Sequence, residues 1–117
     1  RSTISSSKLY DLVGTEINLG DLCDDGSQMR PHIVWFGEPV PMMEKAVEIV
    51  LESDYLIIIG TSLMVYPASG LIDYARVNVK KFYIDPDAKS NLNRNDIELI
   101  SMRASEGVKS LVKRLME

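Results

Sequence analysis

The feature that most constrains the fold is an apolar run that ends abruptly in Gly-Thr-Ser. It covers residues 55–70 and reads YLIIIGTSLMVYPASG. Residues 56–59 are apolar without any polar alternation, which predicts a strand covered on both faces, as in a parallel sheet. Gly60 then permits a ligand to come close to the backbone. A strand that ends in such a loop, with a helix after it, is typical of the nucleotide-binding edge of α/β proteins.

Strand and helix patterns alternate around this run. The predicted strands are residues 32–36, 55–60, 81–84 and 97–100, with short strands at 8–13 and 16–19, and the predicted helices are residues 41–52, 67–77 and 105–116. Such alternation predicts an α/β fold with a mostly parallel sheet and right-handed crossovers. Residues 1–30 are rich in Ser, Gly and Asp and are predicted to form a polar segment of loops ahead of it.

Composition limits the classes of function. The chain has 117 residues, of which 45% are hydrophobic and 26% charged, as in one soluble globular domain. Its net charge of −4 and the absence of a basic run predict no nucleic-acid partner. The apolar runs are far shorter than the ~20 residues of a membrane helix, so no membrane partner is expected. With a single cysteine, Cys23, and no visible signal peptide, we expect a cytoplasmic protein without a disulfide framework.

The Gly60-Thr61-Ser62 segment is the first candidate site. Its backbone N–H groups and two hydroxyls suit the oxygen atoms of a ribose or a phosphate, because they follow a strand and precede a helix. The alternative is a plain turn in which Thr61 and Ser62 satisfy nearby backbone groups.

Asp85 ends the next predicted strand, 25 positions after Gly60. An acidic side chain at that edge of the sheet is how dinucleotide-binding folds hold a ribose diol, and it disfavours an additional 2′-phosphate. The alternative is that Asp85 and Pro86 simply begin a turn.

The segment RPHIVWFGE, residues 30–38, is the second constellation. It predicts an apolar strand that ends in Gly37-Glu38 and forms one wall of a pocket. Its aromatic residues, Trp35 and Phe36, are alternatively core residues. His32, the only histidine, lies at the opposite end of this strand and is interpreted as structural rather than as a general base.

Together, RPHIVWFGE and DYLIIIGTSLMVYPASG resemble the sirtuins, the NAD-dependent protein-lysine deacylases. The resemblance covers residues 28–115 and is greatest to the bacterial and desuccinylase-type subgroup. It implies the carboxyl-terminal part of a three-layer α/β/α Rossmann-like domain of the type that binds NAD or FAD, over residues 31–117. Residues 1–30 would stand in the place of the small zinc module.

The resemblance also implies roles for matching residues. Gly60, Thr61 and Ser62 would contact the ribose and phosphates of NAD, and the backbone of Ala104 would contact the adenine. Asp85 stands where sirtuins usually have Asn to hold the adenosine ribose, so it keeps an acceptor, adds charge and loses a donor.

The same resemblance implies a site for the substrate, an acyl-lysine protein or peptide. Its acyl-lysine channel would be lined by Val34 and Phe36. The peptide would be held as an added strand between two loops. Those loops would be Gly37 and Glu38 on one side and Met64, Val65 and Tyr66 on the other.

The implied reaction couples deacylation to cleavage of NAD and gives nicotinamide, O-acyl-ADP-ribose and free lysine. The family's catalytic His-Gly and its glycine-rich phosphate loop would lie upstream of Arg1, so no residue of this chain is predicted to be catalytic. We expect a fragment of such a deacylase that is inactive alone. The alternative is a non-catalytic module that binds NAD or ADP-ribose.

Two further expectations follow from departures from the sirtuin pattern. The second Cys-x-x-Cys pair of zinc-binding sirtuins is here Cys23-Asp24-Asp25-Gly26, and one cysteine does not make a four-ligand site, so no zinc is predicted. In a fragment, the strand from His32 to Phe36 would lack its neighbour. We hypothesise self-association through this strand, because an unpaired apolar edge favours pairing with another chain.

Overall fold

The structure is a computed structural model that describes residues 1–117, apart from the side chain of Asn91. The chain divides into two compact units, Arg1–Pro39 and Val40–Glu117, and each is described here by itself. None of the described helices is both long and apolar enough to cross a membrane.

The second unit contains all the helices and strands of the described chain. In chain order these are α1 (Met43–Glu52), β1 (Tyr55–Ile59), a 3-10 helix (Ala68–Tyr74), β2 (Lys80–Ile84), α2 (Ala88–Asn91), β3 (Glu98–Ile100) and α3 (Ala104–Met116). The strands form one parallel sheet in the order β1-β2-β3. The predicted α/β class and parallel sheet are therefore present, although the predicted helix at 67–77 is only a 3-10 helix at Ala68–Tyr74.

Apolar clusters cover both faces of the central strand. On one face, Tyr83 packs with residues of the 3-10 helix, α2 and the segment before β3. On the other face, Phe82 and Ile84 pack against Leu111 of α3. This arrangement makes three layers, and β2 is the strand that is buried from Lys81 onward.

Gly107 explains how closely α3 approaches the sheet. A Cβ atom at this position would lie 2.5 Å from Cγ2 of Ile84 and 3.4 Å from Cβ of Met102. Because real Cβ atoms essentially never approach another atom to 2.5 Å, any larger residue would force the Ile84 side chain or the helix to move.

The expectation that β1 is covered on both faces is wrong for this chain. Its exposure alternates, and Tyr55, Ile57 and Ile59 are exposed. Ile57 and Ile59 stand opposite Phe82 and Ile84 in the register, on the face that α3 covers. Since β1 is the edge strand, α3 shields its neighbours β2 and β3 and leaves this side of β1 open.

The first unit has no extended strand among its described residues, so the predicted strands at 8–13, 16–19 and 32–36 are wrong. Two isolated antiparallel bridges join Ser2 with Met29 and Leu22 with Gln28. Around residues 32–36, the backbone groups that a strand would offer a neighbour are taken by side chains. The Ile33 carbonyl accepts from Arg30 Nη2 at 3.0 Å, and the Trp35 N–H donates to Glu38 Oε2 at 3.0 Å. The ladder assumed for self-association is therefore missing.

Candidate functional site

The carboxyl ends of all three strands lie at one edge of the sheet. Ile59 pairs with Ile84, and Ile84 pairs with Ile100, so the strands end at the same level. Gly60 directly follows β1 and Asp85 directly follows β2. After β3, three residues intervene before the first turn of α3 begins at Ala104. The parallel register therefore brings the predicted cofactor residues to a single edge, where ligands of open α/β sheets bind.

The Gly60-Thr61-Ser62 loop leaves β1 through a left-handed residue. Gly60 has φ +61°, and its N–H donates to the Ile84 carbonyl at 3.0 Å. Leu63 closes the loop with φ +56°, which is uncommon for a residue with a side chain. Its N–H donates to Thr61 Oγ1 at 3.2 Å. Thr61 thus makes the bond expected of a turn, while both Thr61 and Ser62 remain exposed at the edge.

Asp85 begins a turn, as the alternative interpretation expected. Its Oδ1 accepts from the Asp87 N–H at 2.8 Å, and its carbonyl accepts from the Ala88 N–H at 3.1 Å. The residue is half-buried at the carboxyl end of β2. The turn fixes the position of the carboxylate at the edge, and its ribose role stays a prediction.

Ala104 is the exposed first residue of α3. The carbonyl of Arg103 accepts from the N–H groups of Glu106 and Gly107, at 3.0 and 2.8 Å. The N–H groups of Ala104 and Ser105 precede these bonds, and the first N–H groups of a helix have no partner within the helix. The backbone here therefore suits a polar ring edge or another acceptor.

Three predicted substrate residues follow the loop in the second unit. Met64, Val65 and Tyr66 are 76%, 53% and 77% exposed. A contiguous exposed apolar segment of this kind is typical of an interaction site. Val65 also lines an apolar cavity of about 310 Å³ that has Ser69 and residues of α1, β1 and the 3-10 helix in its wall.

The other four predicted substrate residues lie in the first unit. Val34 and Phe36 are exposed, Phe36 almost completely. Gly37 has φ +85° and occupies a tight turn in which the Glu38 N–H donates to the Trp35 carbonyl at 3.1 Å. The turn therefore presents the Phe36 ring to solvent.

Glu38 is bound by arginines of its own unit. Arg30 donates to Oε1 at 2.6 Å and to Oε2 at 3.1 Å, and Arg1 Nη2 donates to Oε2 at 3.0 Å. The hydrogen bonds from Arg30, followed by the one from the Trp35 N–H, lower the pKa of Glu38 from 4.5 to about 2. The carboxylate thus orders the turn, a role that the sequence did not reveal because Arg1 is 37 positions away.

A network of polar side chains lies in the first unit, among the residues predicted to stand in the place of the zinc module. Buried Ser2 shares a hydrogen bond with Ser27, at 2.9 Å between the two Oγ atoms. The Ser27 hydroxyl and N–H both donate to Asp25 Oδ1, which lowers the pKa of Asp25 from 3.8 to about 2. Cys23 is buried. Among the described residues no group of three or more His, Cys, Asp or Glu side chains could hold a metal ion.

Comparison with known proteins decides the family. The Sir2 family model matches residues 3–67, more than half of the chain. The chain belongs to the Sir2 family. The resemblance of its two motifs to sirtuins is thereby confirmed.

Curated sirtuin relatives are similar over most of this chain. The NAD-dependent protein deacylase of Helicobacter pylori is 44% identical over 102 residues, which are 87% of this chain and 44% of the relative. The NAD-dependent protein deacylase of Bacteroides thetaiotaomicron is 45% identical over 101 residues, 86% of this chain and 43% of the relative. The chain thus spans less than half of the length of these relatives.

Solved sirtuin structures share the fold. A mutant Sir2 homologue in complex with ADP-ribose matches with a TM-score of 0.76 and 27% identity, over 99% of this chain and 48% of that one. A Sir2 homologue in complex with NAD matches with a TM-score of 0.67 and 32% identity, over 81% and 38%. Sir2Tm bound to a propionylated peptide matches with a TM-score of 0.60 and 29% identity, over 81% and 41%. The predicted Rossmann-like fold, present here as its carboxyl-terminal part, is confirmed.

Proposed function

We propose that this chain supplies the NAD-contacting edge and part of the peptide-binding surface of an NAD-dependent protein-lysine deacylase. The observation that carries the proposal is the common level of the three strand ends, which brings the Gly60 loop, Asp85 and the start of α3 to one edge. Relatives that are 44% and 45% identical to this chain are NAD-dependent protein deacylases. Similar folds have been solved with NAD and with ADP-ribose.

In this proposal the edge binds NAD in three places. Gly60, Thr61 and Ser62 contact the ribose and phosphates through N–H groups and hydroxyls. The carboxylate of Asp85 accepts from hydroxyls of the adenosine ribose, and the backbone at Ala104 meets the adenine. These assignments match each group's chemistry, since hydroxyls need acceptors and phosphate oxygens need donors.

For each unit by itself, we propose that one largely exposed loop contacts the substrate peptide: residues 34–38 in the first unit and residues 64–66 in the second. Val34 and Phe36 would contact the acyl-lysine side chain, and Gly37, Glu38 and Met64 to Tyr66 would hold the peptide backbone. Exposure of Phe36 and Tyr66 supports this assignment, because an unoccupied binding surface leaves its apolar groups in water. Sir2Tm, a related fold, binds a propionylated peptide.

Catalysis is proposed to need a base that this chain does not contain. Its one histidine, His32, matches the ordinary His of RPH and not the catalytic His-Gly of the family. We infer that the chain alone binds NAD and does not deacylate, so that nicotinamide, O-acyl-ADP-ribose and free lysine are products of the longer enzyme. The second candidate is a module that only binds NAD or ADP-ribose, because a chain without this base could still bind the nucleotide.

Calorimetric titration with NAD tests the binding that both candidates share. Gly60→Val places a β-branched residue at φ +61° and is expected to abolish the heat of binding, because such a residue strongly disfavours this conformation. Gly14→Val is the matched control, since Gly14 also has a positive φ and open space around it but lies in the first unit. Absence of binding by the parent chain would overturn the proposal.

The coding sequence upstream of Arg1 distinguishes the two candidates. A His-Gly pair shortly before Arg1 and a glycine-rich loop further upstream favour the deacylase. An unrelated domain there favours the binding module. An assay of free lysine from an acyl-lysine peptide, with and without that upstream segment, then measures whether the base restores turnover.

A cytoplasmic location and self-association are further proposals. The single buried thiol of Cys23 is compatible with a reducing compartment. Self-association would involve the exposed side chains around Trp35 and Phe36 rather than a strand ladder. Sedimentation of the chain against a Phe36→Ser variant tests the second proposal, and cell fractionation tests the first.

A further inference from the structure

Tyr83 links the buried core to the candidate nucleotide loop by a side-chain hydrogen bond. It lies in the central strand and is fully buried. Its hydroxyl donates to the carbonyl oxygen of Thr61 at 2.5 Å. Thr61 is exposed, so this bond joins the core to the exposed loop.

Strand β2 holds the loop through three successive contacts. The Ile84 carbonyl accepts from the Gly60 N–H, the Tyr83 hydroxyl donates to the Thr61 carbonyl, and the Leu63 side chain packs against the cluster that contains Tyr83. Between these contacts lie the groups that would face a ligand, namely the N–H groups and hydroxyls of Thr61 and Ser62. Because the Tyr83 hydroxyl binds the Thr61 carbonyl, the peptide group between Thr61 and Ser62 has a fixed orientation.

We propose that Tyr83 is a positioning residue for the nucleotide site. It orients the Thr61-Ser62 peptide so that its N–H and the two hydroxyls point out of the sheet edge toward the phosphates and ribose of the ligand. This inference rests on the proposed NAD function and adds a residue to it. Asp85 directly follows the same strand, so Tyr83 also sets the loop relative to the acidic residue proposed for the ribose.

A purely structural role for Tyr83 predicts instead that Tyr83→Phe leaves the Kd for NAD unchanged. Its ring fills the core beside Ile72, Ala88 and Ile97, and a phenylalanine would keep that packing. Thr61 lies in an exposed loop, so we expect water to replace the lost donor at its carbonyl. The variant Tyr83→Phe therefore removes the orienting bond and leaves the core filled.

The test compares Tyr83→Phe with a matched variant in the intact chain. Tyr55→Phe is the control, because Tyr55 lies on the neighbouring strand and is half-exposed, with its ring stacked 6.4 Å from Phe82. Two quantities are measured for each protein: the Kd for NAD by calorimetry, and amide hydrogen exchange at Ser62 and Leu63 without NAD. A melting curve records whether the core is intact.

For Tyr83→Phe we expect an unchanged cooperative melt, faster exchange at Ser62 and Leu63, and a Kd for NAD raised about fivefold, the effect of one ordinary hydrogen bond. For Tyr55→Phe we expect all three to match the parent chain. Unchanged exchange and unchanged Kd in Tyr83→Phe would overturn the inference, as would a lowered melting temperature with unchanged Kd. If the parent chain binds no NAD, the proposed function fails, and the exchange measurement still decides whether Tyr83 holds the loop.

Discussion

Different kinds of interaction stabilise each of the two units of this chain. In Val40–Glu117, apolar side chains from helices cover both faces of a parallel sheet, and Tyr83, Ile84 and Leu111 are almost completely buried. In Arg1–Pro39, two isolated bridges replace extended strands, and the turns are joined by polar side chains such as Asp25 and Glu38. Apolar burial has no fixed direction, so the sheet unit does not depend on any one pair of atoms. The polar unit depends on individual hydrogen-bond donors and acceptors.

The candidate NAD residues and the turn at residues 35–38 lie in different units, so different interactions position them. The candidate NAD groups lie at the edge of the second unit, where β2 holds the Gly60 loop and the turn after β2 holds the Asp85 carboxylate. The turn at residues 35–38 lies in the first unit, where the ion pair with Arg30 holds its last residue, Glu38. Variants that act on one kind of interaction should therefore affect one unit and spare the other.

The largest effect is expected from a cavity in the apolar unit. Ile84→Ala removes a fully buried side chain that packs with Phe82 and Leu111, so the unfolding free energy should fall by about 2 to 5 kcal/mol. Far-ultraviolet circular dichroism during denaturant unfolding measures this loss, because every described helix lies in this unit.

The matched control is Ile57→Ala, which makes the same change at an exposed position of the adjacent strand. It should cost on the order of 1 kcal/mol or less, since much of that side chain is already in water. Equal losses from the two variants would contradict the assignment of the core to the central strand.

A medium effect is expected from acid on the polar unit. The pKa of Glu38 is about 2 in the folded chain against an ordinary 4.5, so the unfolded state takes up a proton at higher pH than the folded state does. The contribution of Glu38 to stability is therefore complete above about pH 4.5 and is lost as the pH falls toward 2. Fluorescence of Trp35, the single tryptophan, reports this unit during acid titration.

Glu38→Gln should remove part of this acid dependence and should loosen the turn already at neutral pH, because an amide cannot replace the carboxylate between two arginines. Glu48→Gln is the control, since Glu48 makes an exposed ion pair with Lys45 on α1. Identical acid titrations for the parent chain and Glu38→Gln would show that the ion pair does not hold the turn.

The smallest effect is expected at Asp85, where both interpretations of the residue can be separated. Asp85→Asn keeps an acceptor for the Asp87 N–H and for a ribose hydroxyl, so its Kd for NAD should stay within about threefold of the parent chain. Asp85→Ala loses both and should raise the Kd about tenfold. Calorimetry measures both values, with Asp87→Asn as the control for a lost charge nearby.

If Asp85→Ala leaves the Kd for NAD unchanged, the role of Asp85 is structural. A melting curve on the same variant then records the turn's contribution to folding. The ribose assignment would have to be abandoned, while the loop assignment at Gly60 would be unaffected.

Sequence patterns predicted most elements of the second unit, because apolar residues recur in them with the spacing of a helix or a strand. The helix at 41–52 appears as Met43–Glu52, and the strand at 81–84 appears as Lys80–Ile84. The final helix also lies within one residue of its predicted start. The predicted strand at 32–36 was wrong because its apolar residues satisfied the local pattern, yet Arg30 and Glu38 occupy backbone groups that a ladder needs.

By itself, the sequence determined the α/β class, the parallel sheet and the positions of Gly60, Asp85 and Ala104 after their strands, because chain direction and apolar spacing are local properties. Only the tertiary structure decided which strand lies in the centre, why one face of β1 stays open, and that the Tyr83 hydroxyl reaches the Thr61 carbonyl. It also decided that Arg1 and Arg30 meet on Glu38. These facts depend on contacts between residues far apart in the chain, and such contacts leave no periodic signal in the sequence.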